Sequence, residues 1–387
     1  MQIKLNSQNV FNYLLEHGFL DEPINPAASE VEAIAAKNFN LLLSLPNGTK
    51  LLVKQERTNQ AGTVQNEFLG EWQIQDLIQY FPELSYLKLY LRKLLHYDQD
   101  NAILILQYLD EYQDLSKFYN KQHTFSPAIA AEIGKVIGNI HHETYNQPKY
   151  QAFSAKYPPN VYSKPVDYLI NKMERVTPEV FAIAPPDALK FLAFYQRYEL
   201  LGKAVIDLAA SLHSCCFIHN DLKLNNILIS PNREVSNQHL IRLIDWERST
   251  WGDPALDLGK LIGSYLLIWL NSLLFSQSLT IEQSLRLAKI PLEEIQPSIA
   301  ALTKAYLQQF PEILLDRPDF IKQLIQCAGF ALIQQIRVML HYQSTFDNTG
   351  ICLLQVAKSL LCRPEQSIPT IFGTAAHEFV HNQPAIA

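Results

Sequence analysis

The fold is decided by residues 219–230, which read HNDLKLNNILIS, and by residues 243–247, which read LIDWE. Asp221 and Asn226 share one loop, and Asn226 leads directly into an apolar run that suits a short strand. A second apolar run ends at Asp245 after a polar connection, and together the two runs predict a β-hairpin. Because a hairpin brings its two open ends together, we expect Asn226 and Asp245 to lie at the same end of it.

These three polar residues suit the transfer of a phosphoryl group to a hydroxyl. The barrier to such a reaction is lowered by orientation and charge neutralisation more than by covalent chemistry. The Asp221 carboxylate can accept the proton of an acceptor hydroxyl, and the side-chain oxygens of Asn226 and Asp245 are ligands that Mg²⁺ prefers. The alternative is that Asp221 and Asn226 only form turns and that Asp245 caps a helix. That alternative does not explain why the motifs occur in this order.

A further motif follows at residues 252–258, which read GDPALDL. With these motifs the chain resembles the aminoglycoside phosphotransferase and choline kinase superfamily, from about Ala35 to about Gly263. The resemblance implies an α+β, bilobal, protein-kinase-like fold. The expected domains are a small β-rich N-lobe at residues 1–108 and a large, mostly helical C-lobe with the acceptor pocket at residues 109–387.

The resemblance also implies ATP and Mg²⁺ as cofactors and assigns roles to individual residues. Asp221 becomes the catalytic base, and Asn226 and Asp245 become the metal ligands. Asp257 is expected to anchor the loop through backbone hydrogen bonds. Lys223, which protein kinases share, either places a positive charge on the transferring phosphoryl group or is a solvated loop lysine.

The N-lobe is expected to supply the lysine that binds the nucleotide phosphates. Strand-like runs occur at Val31–Ala36, Phe39–Leu45 and Lys50–Lys54. Lys54 ends the third run and, by the family pattern, binds the α- and β-phosphates and pairs with a Glu on the next helix. Glu71 is the favoured partner because apolar residues follow it at helical spacing, and Glu67, one turn earlier, is the competitor.

Two further nucleotide contacts are expected from the loops of the N-lobe. The phosphate-covering turn corresponds to Ala36–Asn40 and holds no glycine, but Asn38 tolerates a positive φ and can leave backbone N–H groups facing an anion. The strand-like run Asn101–Leu109 predicts the link between the lobes. Gln107 and Leu109 are its hinge candidates, where backbone groups would bind adenine.

Composition excludes several other classes of protein. The chain has 387 residues, of which 48% are hydrophobic and 18% charged, and this balance indicates a large buried core. A net charge of −6 without a polybasic tract disfavours nucleic-acid binding. The longest apolar run, Leu261–Phe275, is shorter than the roughly 20 residues of a membrane span and predicts a buried helix. Five cysteines without metal-binding spacing and no apparent signal peptide predict reduced thiols in the cytoplasm.

The sequence leaves three functions open. The leading one is an ATP- and Mg-dependent kinase whose acceptor is a hydroxyl of a small molecule. The second keeps the chemistry but phosphorylates Ser or Thr of a peptide substrate in a peptide-modifying pathway. The third is a catalytically weak nucleotide-binding scaffold, which the glycine-free phosphate turn keeps possible.

Two features of the helical part bear on the acceptor and on the chain end. Four aromatic residues allow cation–π contacts to a quaternary ammonium but suit a core better, namely Tyr265, Trp269, Tyr306 and Tyr342. Adjacent His141 and His142 point in different directions on a helix and are expected to be structural. Residues 364–387 lack clear periodicity, which predicts a mobile tail or a partner contact.

Overall fold

The computed structural model forms two compact units, one rich in strands and one mostly helical. The β-rich unit contains Met1–Asp114 and Ile227–Ser249, and the helical unit contains Leu115–Asn226 and Thr250–Ala387. The structure describes residues 3–22, 30–34, 38–57, 66–158, 165–167, 170, 181–182, 184–230, 240–275 and 280–380. These units confirm the predicted α+β class. The expected N-lobe, residues 1–108, does not include the later segment Ile227–Ser249, which also belongs to the β-rich unit.

The β-rich unit is built on a five-stranded antiparallel sheet of order β1-β2-β3-β5-β4. Its strands are β1 (Glu30–Ile34), β2 (Phe39–Ser44), β3 (Lys50–Gln55), β4 (Leu94–Asp98) and β5 (Ile103–Gln107). Helix α1 (Val10–Glu16) packs on one face of this sheet, and helix α2 (Phe68–Tyr80) follows β3. A tight turn joins β2 to β3, and Gly48 occupies a positive φ of 80° there.

Alternation in β2 explains how the sheet and α1 form one core. Leu41 and Leu43 are buried, whereas the residues between them are half-buried. They pack with Val10, Phe11 and Leu14 of α1. The buried leucines, which alternate along β2, therefore pack against the apolar face of α1, and this burial of apolar surface stabilises the β-rich unit.

The predicted hairpin is also present. Strand β8 (Ile227–Ile229) pairs antiparallel with β9 (Ile241–Leu243), and Ile227 lies opposite Leu243. The short strand β6 (Gln113–Asp114) adds to the other side of β8. The connection expected at residues 230–238 falls almost wholly on 231–239, outside the described residues.

The helical unit contains one two-stranded sheet in its described part, between β7 (Cys216–Ile218) and β10 (Thr250–Gly252). Its first described helices are α3 (Leu115–Gln122), α4 (Pro127–Thr144), α5 (Pro148–Ser154), α6 (Pro186–Gln196) and α7 (Glu199–Ser211). The later ones are α8 (Pro254–Asn271), α9 (Ile281–Arg286), α10 (Leu292–Gln309), α11 (Glu312–Asp316), α12 (Phe320–Gln343), α13 (Asn348–Cys362), α14 (Ile368–Phe372) and α15 (Ala376–Val380).

Helix α8 is the central helix of this unit. Its N-cap, Asp253, accepts the backbone N–H of Ala255 at 2.9 Å, and Pro254 occupies the first helical position. Residues on all sides of α8 are buried, as expected for a helix inside a core. The predicted buried helix is thus confirmed, and no described helix is long and apolar enough to cross a membrane.

The mobile-tail alternative for the end of the chain is wrong over its described part. Residues 364–380 form short helices, including α14 and α15, rather than an unstructured tail. Phe372 and Phe379 stack at a centroid distance of 4.0 Å, and Lys304 of α10 pairs with Glu378 at 2.7 Å. Helices of five residues are too short to display a period of 3.6, so the sequence pattern could not reveal them.

Candidate active site

The loop at residues 219–226, here the Asp221 loop, is anchored by a buried carboxylate. Asp257 of α8 accepts the backbone N–H groups of His219 and Asn220, each at 2.7 Å. His141 lies beside it, with Nε2 3.4 Å from the carboxylate and Nδ1 3.0 Å from the Tyr306 hydroxyl. Burial alone would raise the pKa of Asp257, but the hydrogen bond and the charge of His141 hold that pKa below its usual value.

A buried lysine holds the same loop from its other side. Lys260, one turn after Asp257 on α8, donates its ammonium to the Asn220 carbonyl. Asn220 itself has a left-handed backbone with φ of 60°. Left-handed residues other than glycine are costly and persist where surrounding contacts fix them. Asp257 and Lys260 together supply such contacts, so the loop is set in one conformation before any ligand arrives.

Within this loop the structure brings together three predicted site residues. The Asn226 side-chain NH₂ donates to the Asp221 carbonyl at 2.8 Å and lies 3.4 Å from the Asp221 carboxylate. Lys223 lies 3.1 Å from the same carboxylate and is about two-fifths exposed. Because the Asn226 nitrogen faces its own loop, the carbonyl oxygen is the atom that it can offer to a cation.

In the β-rich unit the structure brings together Lys54 and Asp245. The Lys54 ammonium lies 2.5 Å from Asp245 and 3.5 Å from Glu247, and its side chain is 9% exposed. Burial lowers the pKa of Lys54, but the two carboxylates more than offset this, and the pKa is raised. Burial also raises the pKa of Glu247 to about 7. The lysine is therefore held charged, with its head directed at Asp245.

The expected ion pair between Lys54 and Glu71 is not formed, which corrects the sequence-based pairing. Glu71 is buried on α2 and accepts the backbone N–H of Trp246 at 2.6 Å. It is still close enough to Lys54 for their charges to influence each other's pKa values. A side chain on Gly70 would meet the Glu247 backbone at 2.5 Å, so α2 approaches residues 246–247 closely. Glu71 thus holds the segment that carries Asp245.

Replacing Glu71 with Ala should destabilise the β-rich unit. The variant leaves the buried Trp246 N–H without its acceptor, which costs roughly 1–3 kcal/mol. Urea unfolding followed by Trp fluorescence measures this loss. Glu71→Gln keeps an acceptor oxygen and should lose less than half as much. Equal losses in the two variants would contradict the assigned hydrogen bond.

The backbone at Asp245 is also unusual. Its φ of 62° and ψ of 56° lie in the left-handed region, immediately before the turn at residues 246–248. Such conformations are uncommon for residues other than glycine, although Asn and Asp adopt them more readily than most. The strain is maintained by the contacts of Lys54 and Glu71 on either side of this residue. The backbone conformation of Asp245 is therefore fixed by its neighbours and not by the intrinsic backbone preference of an aspartate.

The remaining predicted nucleotide contacts lie along the sheet. Asn38 is buried just before β2, and Phe39 and Asn40 of the expected turn belong to β2 itself. The remaining two residues of that turn, Ala36 and Lys37, fall outside the described residues. The Gln107 N–H donates to the Lys93 carbonyl at 3.0 Å, and the Leu109 carbonyl accepts from Tyr112 at 3.1 Å. These hinge groups therefore have protein partners, and their role toward adenine stays a prediction.

Sequence reasoning missed two residues around these clusters and misplaced a third. Glu247 is the second carboxylate on Lys54, and Lys260 holds the Asp221 loop. Asn40, expected in the phosphate-covering turn, lies in β2 opposite Lys54, and its side-chain oxygen is buried without a hydrogen-bond partner. The spacing Asp257–Lys260, one helical turn, was a usable signal for Lys260. Nothing in the sequence marks Glu247, because Lys54 comes from a distant segment.

A cavity of about 490 Å³ adjoins the Asp221 loop within the helical unit. Lys223 and Asn225 line it together with residues of α3, α8 and α12. Its polar lining residues elsewhere include Ser116, Asn120, Ser264, Asn271 and Gln335. Among the described lining residues Lys223 is the one charged side chain, and none is aromatic. The four aromatic candidates do not form a cage here, because Tyr265, Trp269 and Tyr306 are core residues and Tyr342 is exposed.

Comparison with known proteins decides the family. The model of the phosphotransferase enzyme family matches residues 73–275, just over half of the chain. The chain belongs to this family. The match includes the Asp221 loop, Asp245 and the Asp257 anchor, whereas Lys54 and Glu71 precede the matched residues.

Individual relatives are distant. The 4-hydroxytryptamine kinase of Psilocybe cyanescens is 24% identical over 182 residues, which are 45% of this chain and 46% of that kinase. The chain thus matches about half the length of this curated relative. Among solved structures, the Plasmodium vivax ethanolamine kinase superposes with a TM-score of 0.52 at 17% identity, covering 92% of this chain and 90% of its own. The ADP-bound aminoglycoside phosphotransferase APH(2'')-Ib gives 0.50 at 13% identity, covering 92% and 99%. These likenesses confirm the kinase-like fold.

Proposed function

We propose that this chain is an ATP- and Mg²⁺-dependent phosphotransferase that moves the γ-phosphate to a hydroxyl of a small molecule. The observation that carries the proposal is the Asp221 loop. Its backbone is fixed by Asp257 and Lys260, and its carboxylate lies beside Lys223 at 3.1 Å. A fixed carboxylate next to a cation is the arrangement that orients an acceptor hydroxyl for in-line attack.

The chemical step follows from these residues. The acceptor oxygen attacks the γ-phosphorus, the bond from that phosphorus to the bridging oxygen breaks, and ADP leaves. Asp221 holds the acceptor hydroxyl and takes its proton as the new bond forms. Lys223, in contact with Asp221 and partly exposed, supplies positive charge on the acceptor side of the transferring group.

The donor set fits magnesium. The Asn226 carbonyl oxygen is left over once its nitrogen has bonded to the loop, and the Asp245 carboxylate is about one-third exposed although Lys54 contacts it. Both are hard oxygen ligands of the kind Mg²⁺ takes alongside phosphate oxygens. When bound, the ion would neutralise charge on the nucleotide phosphates. Asn226 directly precedes β8 and Asp245 follows β9, and we assign both as ligands of this ion.

The β-rich unit offers the remaining nucleotide contacts. Lys54 stays protonated because nearby carboxylates raise its pKa. When Asp245 binds the metal instead of Lys54, the ammonium would be available to the α- and β-phosphates. Close to the hinge, Tyr112, Leu228 and Ile244 form a small apolar cluster against which Leu109 packs. A flat apolar surface beside backbone groups suits a purine ring. We assign adenine to this cluster and the phosphates to Lys54.

The cavity beside Lys223 favours a neutral or anionic acceptor over a polycation. A cationic acceptor binds best where carboxylates or aromatic faces line its site, and the described lining residues provide neither. The lining is instead rich in amides and hydroxyls, which bind neutral hydroxyl compounds. The name of the Psilocybe relative, a kinase of 4-hydroxytryptamine, supports a small molecule over a peptide as the acceptor.

A panel of acceptors tests the function and the charge preference together. We expect ATP consumption with neutral polyols and phenols to exceed that with choline, ethanolamine and aminoglycosides by about tenfold in kcat/KM, equivalent to about 1.4 kcal/mol. Asn120→Asp places a carboxylate in the cavity and should shift the preference toward the cations. Asn120→Ser serves as the uncharged control. A wild-type preference for aminoglycosides would refute the charge argument, and transfer only to a Ser/Thr-rich peptide would refute the small-molecule acceptor.

The cysteines support a reducing compartment as part of this proposal. All five are free thiols, and four of them are buried. Burial raises the pKa of Cys216 and Cys327 well above the usual range, which keeps these thiols protonated and unreactive. We therefore propose a cytoplasmic enzyme.

A further inference from the structure

A second cluster of potential ligands lies in the β-rich unit, away from Lys54 and Asp245 in the sequence and on different elements. His17 caps the C-terminus of α1, whereas His96 and Asp98 belong to β4. One ligand atom from each of the three side chains lies within 4.8 Å of the other two. Two imidazoles and a carboxylate from two separate elements therefore converge on one point.

His96 has an unmet requirement at this point. Its Nε2 atom is buried and has no hydrogen-bond partner. A buried polar nitrogen without a partner costs free energy that folding must offset elsewhere. The His96 ring is tilted by 43° to the His17 ring, with centroids 4.7 Å apart, so the two imidazoles lie against each other in the cluster. A cation bound through Nε2 would satisfy this nitrogen.

Asp98 is already oriented as a ligand. Its carboxylate accepts the Tyr13 hydroxyl at 2.8 Å, the Asn101 side-chain amide at 2.8 Å and the Asn101 backbone N–H at 3.0 Å. Hydrogen bonds of this kind fix the direction of metal-binding carboxylates and are typical of the shell behind the ligands. Tyr13 comes from α1, so the same helix supplies a ligand, His17, and a support for another ligand.

We propose that His17, His96 and Asp98 bind a divalent transition-metal ion of the zinc class. Two imidazoles and one carboxylate suit Zn²⁺ better than Mg²⁺ or Ca²⁺, which prefer oxygen ligands. Ligand atoms around a tetrahedral zinc ion lie about 3.4 Å apart, given bond lengths of about 2.1 Å. The ligand atoms here lie within 4.8 Å of one another, and the exposed His17 can bring its nitrogen closer by rotating its side chain. A water molecule would be the fourth ligand. The ion would join the end of α1 to β4 and stabilise the β-rich unit.

The test uses the untagged full-length chain, stripped of metal with a chelator. Calorimetric titration with zinc sulfate should give one site, and its affinity should fall roughly a hundredfold in His17→Ala and in His96→Ala. Tyr13→Phe, which removes only the supporting hydrogen bond, should cost about tenfold. His142→Ala is the matched control, because His142 also lies beside a carboxylate, Glu312 at 3.3 Å, in the other unit. It should leave zinc affinity unchanged.

Two further measurements distinguish zinc at this site from zinc bound at the cysteines or elsewhere on the chain. Zinc should raise the Tm of the wild type by about 2 °C or more and leave the Tm of His17→Ala unchanged. Cobalt bound at this site should lack the near-ultraviolet charge-transfer band of a thiolate ligand. The proposal is overturned if the wild type binds no zinc, if His17→Ala and His96→Ala bind it as tightly as the wild type, or if cobalt reports a cysteine ligand. If the histidine–carboxylate cluster binds protons but no metal, the wild type will bind no zinc.

Discussion

Replacing Asp221 with Asn is expected to lower phosphoryl transfer to the acceptor by roughly 10²-fold or more, while nucleotide affinity stays near that of the wild type. The substitution keeps the shape of the side chain and removes the base. The loop should not move, because Asp257 and Lys260 hold its backbone and neither contact involves the Asp221 side chain. Single-turnover transfer and calorimetric nucleotide binding measure the two quantities separately.

Asp207→Asn provides the matched control for this prediction. Asp207 is an exposed carboxylate on α7 of the same unit and lies outside the Asp221 loop. Its replacement removes the same charge and should leave transfer unchanged. Phosphorylation of a true acceptor at the wild-type rate by Asp221→Asn would refute the mechanism. Slow ATP hydrolysis without an acceptor is not a suitable readout, because water requires less positioning.

The parts of the site that the sequence predicted correctly are those in which local spacing determines geometry. Asn226 is five residues from Asp221, and one loop with one hydrogen bond between them suffices to bring them together. The β8–β9 hairpin followed from two apolar runs with a polar connection. Asp257 was expected to bind the loop backbone from the family resemblance rather than from spacing, and it accepts two backbone N–H groups there.

The parts that the sequence could not predict depend on contacts between distant segments. Lys54 lies 191 residues from Asp245, and the choice among Asp245, Glu247 and Glu71 as its partner depends on side-chain directions. Glu71 follows the family pattern in position but uses its carboxylate on the Trp246 backbone. Helical spacing correctly predicts which face of α2 carries Glu71, but it does not reveal which group Glu71 contacts. The same reason hid the position of Asn40, whose neighbour Lys54 comes from the next strand.

The charge proposed for the acceptor likewise rests on packing that the sequence does not reveal. Net charge is an average over the whole chain, and a value of −6 permits an acidic cleft without locating one. The cavity beside Lys223 is lined from several segments, including α3, α8 and α12. Only their packing places Asn120 and Asn271 at the same cavity. The four aromatic residues, by contrast, were expected to suit a core, and this is confirmed for Tyr265, Trp269 and Tyr306, whereas Tyr342 is exposed.

Replacing Asp245 with Asn is expected to weaken strongly the dependence of ATP affinity on Mg²⁺ and to lower turnover by roughly 10³-fold, because several kcal/mol of charge stabilisation is lost. Asn is the informative substitution at this position. The residue has a φ of 62°, a conformation that Asn adopts more readily than Ala, so Asp245→Asn removes the charge with little added backbone strain. ATP titrations with and without Mg²⁺ give the measurement.

The control for Asp245 is its neighbour Glu247, which also contacts Lys54, at 3.5 Å. Glu247→Gln removes a carboxylate from the same cluster but should retain the Mg²⁺ dependence, since only Asp245 is assigned to the ion. Measured above the pKa of Glu247, which burial raises to about 7, both variants leave Lys54 with one charged carboxylate fewer, so lost charge at Lys54 cannot by itself explain a difference in ATP binding. If Mg²⁺ strengthens ATP binding as much in Asp245→Asn as in the wild type, Asp245 is not a ligand. If both variants lose the Mg²⁺ dependence equally, the effect belongs to the charge of the cluster, and the assignment of the ion to Asp245 alone is wrong.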